Sequence, residues 1–329
     1  MAESGRSRQS SGVSPLAHEV AQKLAQAASL ALTGKAEVVE RAVVTLLARG
    51  HLLIEDVPGV GKTTLARALA RALGTDFRRV QCNNDLMPAE LLGVNFFNKA
   101  ERRFEFRPGP VFTHILVADE INRATPKTQS ALLEVMSERQ VSIDGVTHKL
   151  DEPFLVIATQ NPDDAAGTYP LPDSQLDRFL LRTAVGYPSP AVEKQLLASR
   201  TGVEPVDTLE PVVTLAQLVD VQREVDQVGV DASVIDYLHA IVHATRSHEA
   251  IAQGVSTRGA LALLRAAKAR AIVKGRGFLI PDDVSEMALA VLAHRLRLRG
   301  LDSFVGGETQ RDDAERVLSE LLSRVEVPL

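Results

Sequence analysis

Tryptophan is absent from this chain of 329 residues, and aromatic residues of all kinds make up only 4% of it, which leaves little surface for stacking nucleic-acid bases. Cysteine occurs once, at Cys82, so an internal disulfide framework is excluded and a reducing compartment is the expected setting. Without a histidine or asparagine motif beside it, that thiol reads as a small core residue rather than a nucleophile. Excess charge is missing too. The 37 Lys and Arg stand against 42 Asp and Glu, a formal net charge of -5, so no basic field advertises nucleic acid or an anionic membrane as partner. Nor does any apolar run approach the ~18 residues of a membrane span. The opening MAESGRSRQSSGVSP is polar and Ser-rich. After it, PLAHEVAQKLAQAASLAL is broken by His18, Glu19, Gln22, Lys23 and Gln26, the pattern of an amphipathic helix and not of a signal peptide. The expectations are a disordered tail over 1–14, no membrane insertion and a cytoplasmic location.

What the chain does contain is an ordered alternation. From Glu37 to about Ala184, helical patterns alternate with the short apolar runs HLLIE, the neighbourhood of Val80, ILVAD and FLVIATQ, the signature of an α/β domain with a parallel sheet. After GYPSP, at 186–190, the pattern turns helical throughout, over roughly 214–228, 231–248, 256–274, 281–298 and 310–324. That shift predicts an α/β core over 15–187 and a helical domain over 188–329.

HLLIE runs into DVPGVGKTT and then LARALARALG, so strand, glycine loop and helix follow in the order a phosphate-binding loop requires. In a loop that begins at Pro58, backbone N–H groups of Gly59, Val60, Gly61, Lys62, Thr63 and Thr64 would wrap phosphates, helped by the positive end of the helix. Lys62 would meet the β- and γ-phosphates, and the Thr63 hydroxyl would meet Mg²⁺. The usual G-x-x-x-x-G-K-[ST] pattern has a glycine where Asp56 stands, so Asp56 is expected in a conformation that glycine reaches more easily. A Rossmann reading fails because Thr64 takes the third glycine position of G-x-G-x-x-G. ILVADE ends a second apolar strand in two carboxylates, Asp119 for the Mg²⁺ shell and Glu120 to polarise a water. FLVIATQNP ends a third in Gln160 and Asn161; Asn161 would face the γ-phosphate or serve only as a turn residue.

Six stretches in order, DVPGVGKTTLA, ILVADEINRA, SALLEVMSERQVSIDG, FLVIATQNP, LPDSQLDRFLLR and STRGALALLRAAKARA, resemble the MoxR family of AAA+ ATPases over about residues 30–300. In that family the loop without its first glycine looks ordinary. The resemblance implies an α/β, P-loop AAA+ parallel-sheet core with a C-terminal all-helical lid, and Mg²⁺-dependent ATP hydrolysis. Lys62 and Thr63 resemble the Walker A pair, Asp119 and Glu120 the Walker B pair, and Asn161 sensor 1. Arg178, in LDRF, resembles the arginine finger that reaches a neighbouring subunit's γ-phosphate, although pairing with Asp173 or Asp177 is also open to it. Arg258, in STRGA, resembles sensor 2, which links lid to nucleotide; a plain surface arginine is the alternative. Gly34 resembles the segment near the adenine. The stretches 93–112 and 140–150 resemble two hairpin insertions, the second carrying a D-G turn.

Partners follow from the resemblance in the same way: a homo-oligomer, a hexameric ring, acting on client proteins with von Willebrand factor A domains in maturation or metal insertion. A nucleic-acid motor and a non-hydrolysing ATP switch remain the alternatives. His239 and His243 share a helix face but lack the glutamate of a zinc-protease motif. RLRLR, at 295–299, reads as a solvated helix face.

Overall fold

The computed structural model describes residues 13–57, 59–161, 167–199, 204–300 and 308–328, so residues 1–12 of the expected tail lie outside it. Ser14, at the end of that stretch, caps a helix. Its hydroxyl accepts from Ala17 N at 3.3 Å, Pro15 takes the first helical turn, and its own N–H and O–H donate to the Glu224 carboxylate at 2.7 and 2.8 Å. Helix α1 (Pro15–Ala31) and α2 (Ala36–Leu47) lead to β1 (Leu52–Glu55), α3 (Lys62–Leu73) and β2 (Phe77–Gln81). Next come α4 (Pro88–Leu92) and the hairpin of β3 (Gly93–Asn98) and β4 (Arg103–Pro108). After β5 (Ile115–Asp119) and α5 (Pro126–Glu138), a second hairpin pairs β6 (Gln140–Ile143) with β7 (Val146–Lys149). The core ends with β8 (Leu155–Gln160), α6 (Asp173–Leu176) and β9 (Leu181–Thr183).

Five strands form one parallel sheet in the order β2-β5-β8-β1-β9. Alternate residues go to opposite faces. Leu52, Ile54, Ile115, Val117, Leu155 and Ile157 join the cluster beneath α1, α2 and α3, whereas Leu53, Leu116, Ala118, Val156 and Ala158 pack with Leu132, Leu133 and Met136 of α5. Burial on both faces is why β1, β5 and β8 are largely apolar, whereas edge strand β2 carries the exposed Arg78, Arg79 and Gln81.

Beyond the sheet lie α7 (Pro190–Ser199), α8 (Leu215–Gln227), α9 (Ala232–Ser247), β10 (Ile251–Gln253), α10 (Thr257–Val273), α11 (Pro281–Leu292), β11 (Arg297–Leu298) and α12 (Glu308–Arg324). The helix expected over 281–298 stops at Leu292, and a 3-10 turn, Ala293–Arg295, leads into β11, which pairs antiparallel with β10. RLRLR is therefore no helix face. Leu296 and Leu298 are buried while Arg297 and Arg299 are exposed, a period of two that belongs to a strand. The apolar cluster on the α1–α3 face continues unbroken into Leu218, Ile241, Leu263, Val291 and Leu318 of the lid. Charges reinforce that seam. Asp283 is fully buried and accepts from Arg270 at 2.8 Å, from Arg276 at 2.6 and 2.7 Å and from Ile280 N at 3.1 Å, while Arg270 also reaches Glu40 of α2 at 3.3 Å. A carboxylate removed from water is tolerated only when its lone pairs are occupied in this way.

The D-G turn behaves as its residues require, with Asp144 at φ +50° and Gly145 at φ +80°, the primed turn that matches strand twist. The two hairpins touch: Asn95 Nδ2 donates to Asp144 at 2.7 Å, and Phe106 stacks on His148 with centroids 3.9 Å apart. Among the described residues no helix is long and apolar enough to cross a membrane.

Asp56 follows β1 and explains why no glycine is needed there. Its φ is not positive; instead its carboxylate accepts from Val57 N at 2.8 Å, Val185 N at 2.6 Å and Gly186 N at 2.5 Å, tying the loop to the exit of β9. Removing an acceptor from buried N–H groups costs about 1–3 kcal/mol. Asp56→Ala is expected to lower the unfolding free energy by about 2–3 kcal/mol in urea titrations, and Asp56→Gly, which restores the usual loop residue, by at least as much. An unchanged urea midpoint for Asp56→Gly would contradict this account.

His51 has a second signature. It accepts from Val156 N at Nδ1 (3.0 Å) and donates from Nε2 to Met136 O (3.0 Å), an arrangement open only to the neutral ring. Burial first, and the nearby Arg139 charge, lower its pKa to about 4 despite the opposing effect of the Met136 carbonyl. Because the folded value is depressed, the unfolded chain takes up a proton that the folded chain refuses as pH falls from about 6.5 to about 4, so stability is lost across that window. Urea titrations between pH 7 and pH 4 should show this loss, about 3 kcal/mol at most from His51, and His51→Gln should flatten the slope.

Candidate functional site

The C-terminal ends of β1, β2, β5 and β8 share one edge of the sheet, with Glu55 in register with Gln160 and Gln81 with Asp119. A cavity of ≈ 340 Å³ opens there. Gly59, Gly61, Lys62, Thr63 and Thr64 line one side of it, and Asp119, Glu120 and Asn161 another. Gly59 and Gly61 have φ of +86° and +96°, backbone that L side chains rarely adopt, and a Cβ on Gly61 would lie 2.7 Å from Leu32 Cδ1. Gly61 caps α3 without offering a side-chain acceptor, so the first-turn N–H groups are left to a ligand. Val60 packs partly buried against the α1–α3 core, and Pro58 lies outside the described residues. Lys62 Nζ donates to the Asp56 carbonyl at 2.6 Å. Burial lowers its pKa, and Asp56, Asp119 and Glu120 push the other way.

The acidic pair is held by residues that no motif flagged. Thr159 of β8 donates to Asp119 Oδ1 at 2.5 Å and accepts from Glu120 N at 3.0 Å. Arg79 places Nε and Nη2 on Asp119 Oδ2 at 2.9 and 2.6 Å, and Gln81 donates to Glu120 Oε2 at 2.8 Å. Glu120 itself sits at φ +55°, a left-handed conformation that is costly for a non-glycine residue. All three partners line the cavity. The available signals were slight: Arg79 and Gln81 alternate on β2, and Thr159 interrupts an apolar run.

The residues fit a nucleotide with a divalent cation. Two left-handed glycines, an uncapped helix start and an ammonium suit a chain of phosphates, and the Thr63 hydroxyl with the Asp119 carboxylate offers the hard oxygen donors that Mg²⁺ prefers. Cys82 is buried beside them; burial, with Asp119 and Glu120, pushes its thiol pKa up to about 12, so it is no nucleophile.

Three expected residues lie elsewhere. Gly34, at φ +76°, faces Val192, whose Cγ2 would meet an added Cβ at 3.0 Å. Arg178 pairs with neither Asp173 nor Asp177; it donates from Nη1 to Leu133 O at 2.6 Å and Ser137 Oγ at 2.5 Å on α5. Arg258, in the first turn of α10, lies 3.6 Å from Asp177 and is not among the residues lining the cavity. His239 and His243 have ring centroids 6.0 Å apart, and among the described residues no third His, Cys, Asp or Glu joins them in a group that could hold a metal ion.

Known proteins resemble this chain. A family described as ATPases associated with various cellular activities (AAA) matches residues 51–181, and an AAA lid domain matches 243–317. The uncharacterized protein YeaC of Bacillus subtilis is 44% identical over 95% of this chain and 96% of its own length. Chaperone MoxR1 of Mycobacterium tuberculosis is 42% identical over 81% and 73%, and protein MoxR of Methylorubrum extorquens 30% identical over 82% and 84%. A solved structure from Cytophaga hutchinsonii superposes with a TM-score of 0.84 at 32% identity, covering 95% of this chain and 96% of that one. On these grounds, the chain belongs to the MoxR family of AAA+ ATPases.

Proposed function

We propose that this ATPase works as a homo-oligomeric ring, hexameric in form, in which each catalytic site is completed by the neighbouring subunit. One observation carries the reading. Arg178 reaches Leu133 and Ser137 of α5 and Arg258 lies against Asp177, so neither lines the cavity formed by the phosphate loop and both acids of the same chain. A loose phosphoryl-transfer transition state spreads negative charge over its equatorial oxygens, and an arginine supplied across an interface offsets that charge.

In this mechanism Lys62 and the N–H groups from Gly59 to Thr64 hold the β- and γ-phosphates. Thr63 and Asp119 would hold Mg²⁺, which when bound offsets phosphate charge. Glu120 accepts a hydrogen bond and then the proton of a water that attacks the γ-phosphorus, while Asn161 orients that water. The new P–O bond forms as the bond to the β-bridging oxygen breaks, and ADP leaves with that electron pair. Arg178 of one subunit steadies the transferring group in the next, and Arg258 acts from the same side.

The work done is chaperone-like remodelling or maturation of client proteins with von Willebrand factor A domains, metal insertion included, in the cytoplasm. The name of Chaperone MoxR1 supports the class of work. The first hairpin supports a surface for it: Phe96, Phe97 and Phe104 are 44%, 51% and 71% exposed on an arm that leaves the sheet directly after β2 and α4.

Turnover is tested by Mg²⁺-dependent ATP hydrolysis. Arg178→Ala and Glu120→Gln are each expected to lose roughly 10³-fold or more, and an equal mixture should regain about a quarter of the parental rate, since that share of random interfaces pairs an intact acid with an intact arginine. Arg258→Ala should be rescued by Glu120→Gln and not by Arg178→Ala. Co-assembled mixtures that stay inactive would rule out the shared site.

A further inference from the structure

Among the described ion-paired arginines, the most completely enclosed has no part in the mechanism above. Arg295 belongs to the lid, in the turn after α11, and its side chain is only 4% exposed. Its guanidinium reaches beyond the lid to the core. Nε donates to Asp177 Oδ1 at 2.7 Å, and Nη2 to the carbonyls of Asp177 at 3.1 Å and Phe179 at 2.7 Å. Nη1 donates to Leu180 O at 3.3 Å and to Val291 O, and lies 2.7 Å from His294 Nε2. One side chain thus grips the segment from Asp177 to Leu180 on both sides of Arg178.

The rest of that segment is held as firmly. Arg178 N donates to Gln175 O and Phe179 N to Leu176 O, both at 3.1 Å, and Leu180 N donates to His51 O at 2.8 Å. Asp177 offers its other oxygen to Arg258. The start of α10 rests on the stem of Arg295, because Gly259 lacks the Cβ that would come within 3.0 Å of Arg295 Cδ. Two lid arginines and one core carboxylate therefore meet directly beside Arg178. A lysine could pair with Asp177 but could not hold the carbonyls at the same time, since the fork of donors is peculiar to guanidinium.

We propose that Arg295 is a positioning residue for Arg178: it latches the lid to the Asp177–Leu180 segment, so that the lid of one subunit sets the arginine delivered to the next subunit's cavity. This rests on the reading of Arg178 as acting across the interface. The geometry makes lid and arginine one body, and a shift of about 1 Å in a catalytic group costs on the order of 100-fold in rate.

Mixed assemblies of the full-length chain test it. Arg295→Lys, and Asp177→Asn as a second variant that leaves the buried arginine intact, are expected to lower ATP turnover by roughly 10- to 100-fold while the affinity for a fluorescent ATP analogue stays within about twofold. Mixing either variant with Glu120→Gln should regain activity, because an intact cavity then receives an intact Arg178; mixing with Arg178→Ala should regain none. Rescue by Arg178→Ala would place the defect in the variant's own cavity and overturn the proposal. Rescue by neither partner, in a background where Arg178→Ala and Glu120→Gln rescue each other, would reduce Arg295 to a fold staple and overturn it as well. Failure of that reference pair to rescue, despite co-assembly, would instead remove the interface reading, and the latch with it.

Discussion

The carboxylate of Asp56 ties together parts of the chain that are otherwise distant in sequence. It fixes the exit of β9 through two backbone N–H groups, while the carbonyl of the same residue receives Lys62. The phosphate loop is thereby registered against the last strand of the sheet, and that strand follows the segment carrying Arg178. At the end of β1, Glu55 continues the pattern by meeting Gln160 at 2.6 Å and Arg182 of β9 at 3.4 Å. Loop, acidic pair and distal arginine keep their relative positions because a buried anion with several donors has few alternative arrangements.

Much of the fold was legible because its signals are local. Runs such as ILVAD are continuous only in strands covered on both faces, and Asp-Gly between alternating residues forms its turn without help from elsewhere. The phosphate loop is equally local, since Gly59 and Gly61 act through their own φ. What stayed hidden depends on neighbours in space. Arg79 and Gln81 matter only because β2 pairs with β5, and no window of sequence contains both strands. Asp56 looked like a missing glycine because two of the three N–H groups it serves are 129 and 130 residues further on, a distance no local propensity spans. RLRLR carried its strand signal openly in a period of two, but five residues at the end of a helical pattern were too few to outweigh it.

The lid departs most from what sequence suggests. Its helices read as a separate bundle, yet Arg270, Arg276 and Arg295 all reach groups that are buried or shared with the core. Arg258 stands over Asp177 instead of the cavity of its own chain because α8 and α10 pack against α1 and α2, carrying the start of α10 toward the β9 side.

The unbroken apolar cluster makes the boundary near residues 186–190 a boundary in composition and not in mechanics. A chain cut there would leave two fragments still sharing one interior, each exposing a broad apolar face if pulled apart. The two halves are closer to interlocking pieces than to beads on a string. Any expression of either half alone therefore begins with an aggregation problem, while co-expression of both offers a route to a split protein that reassembles.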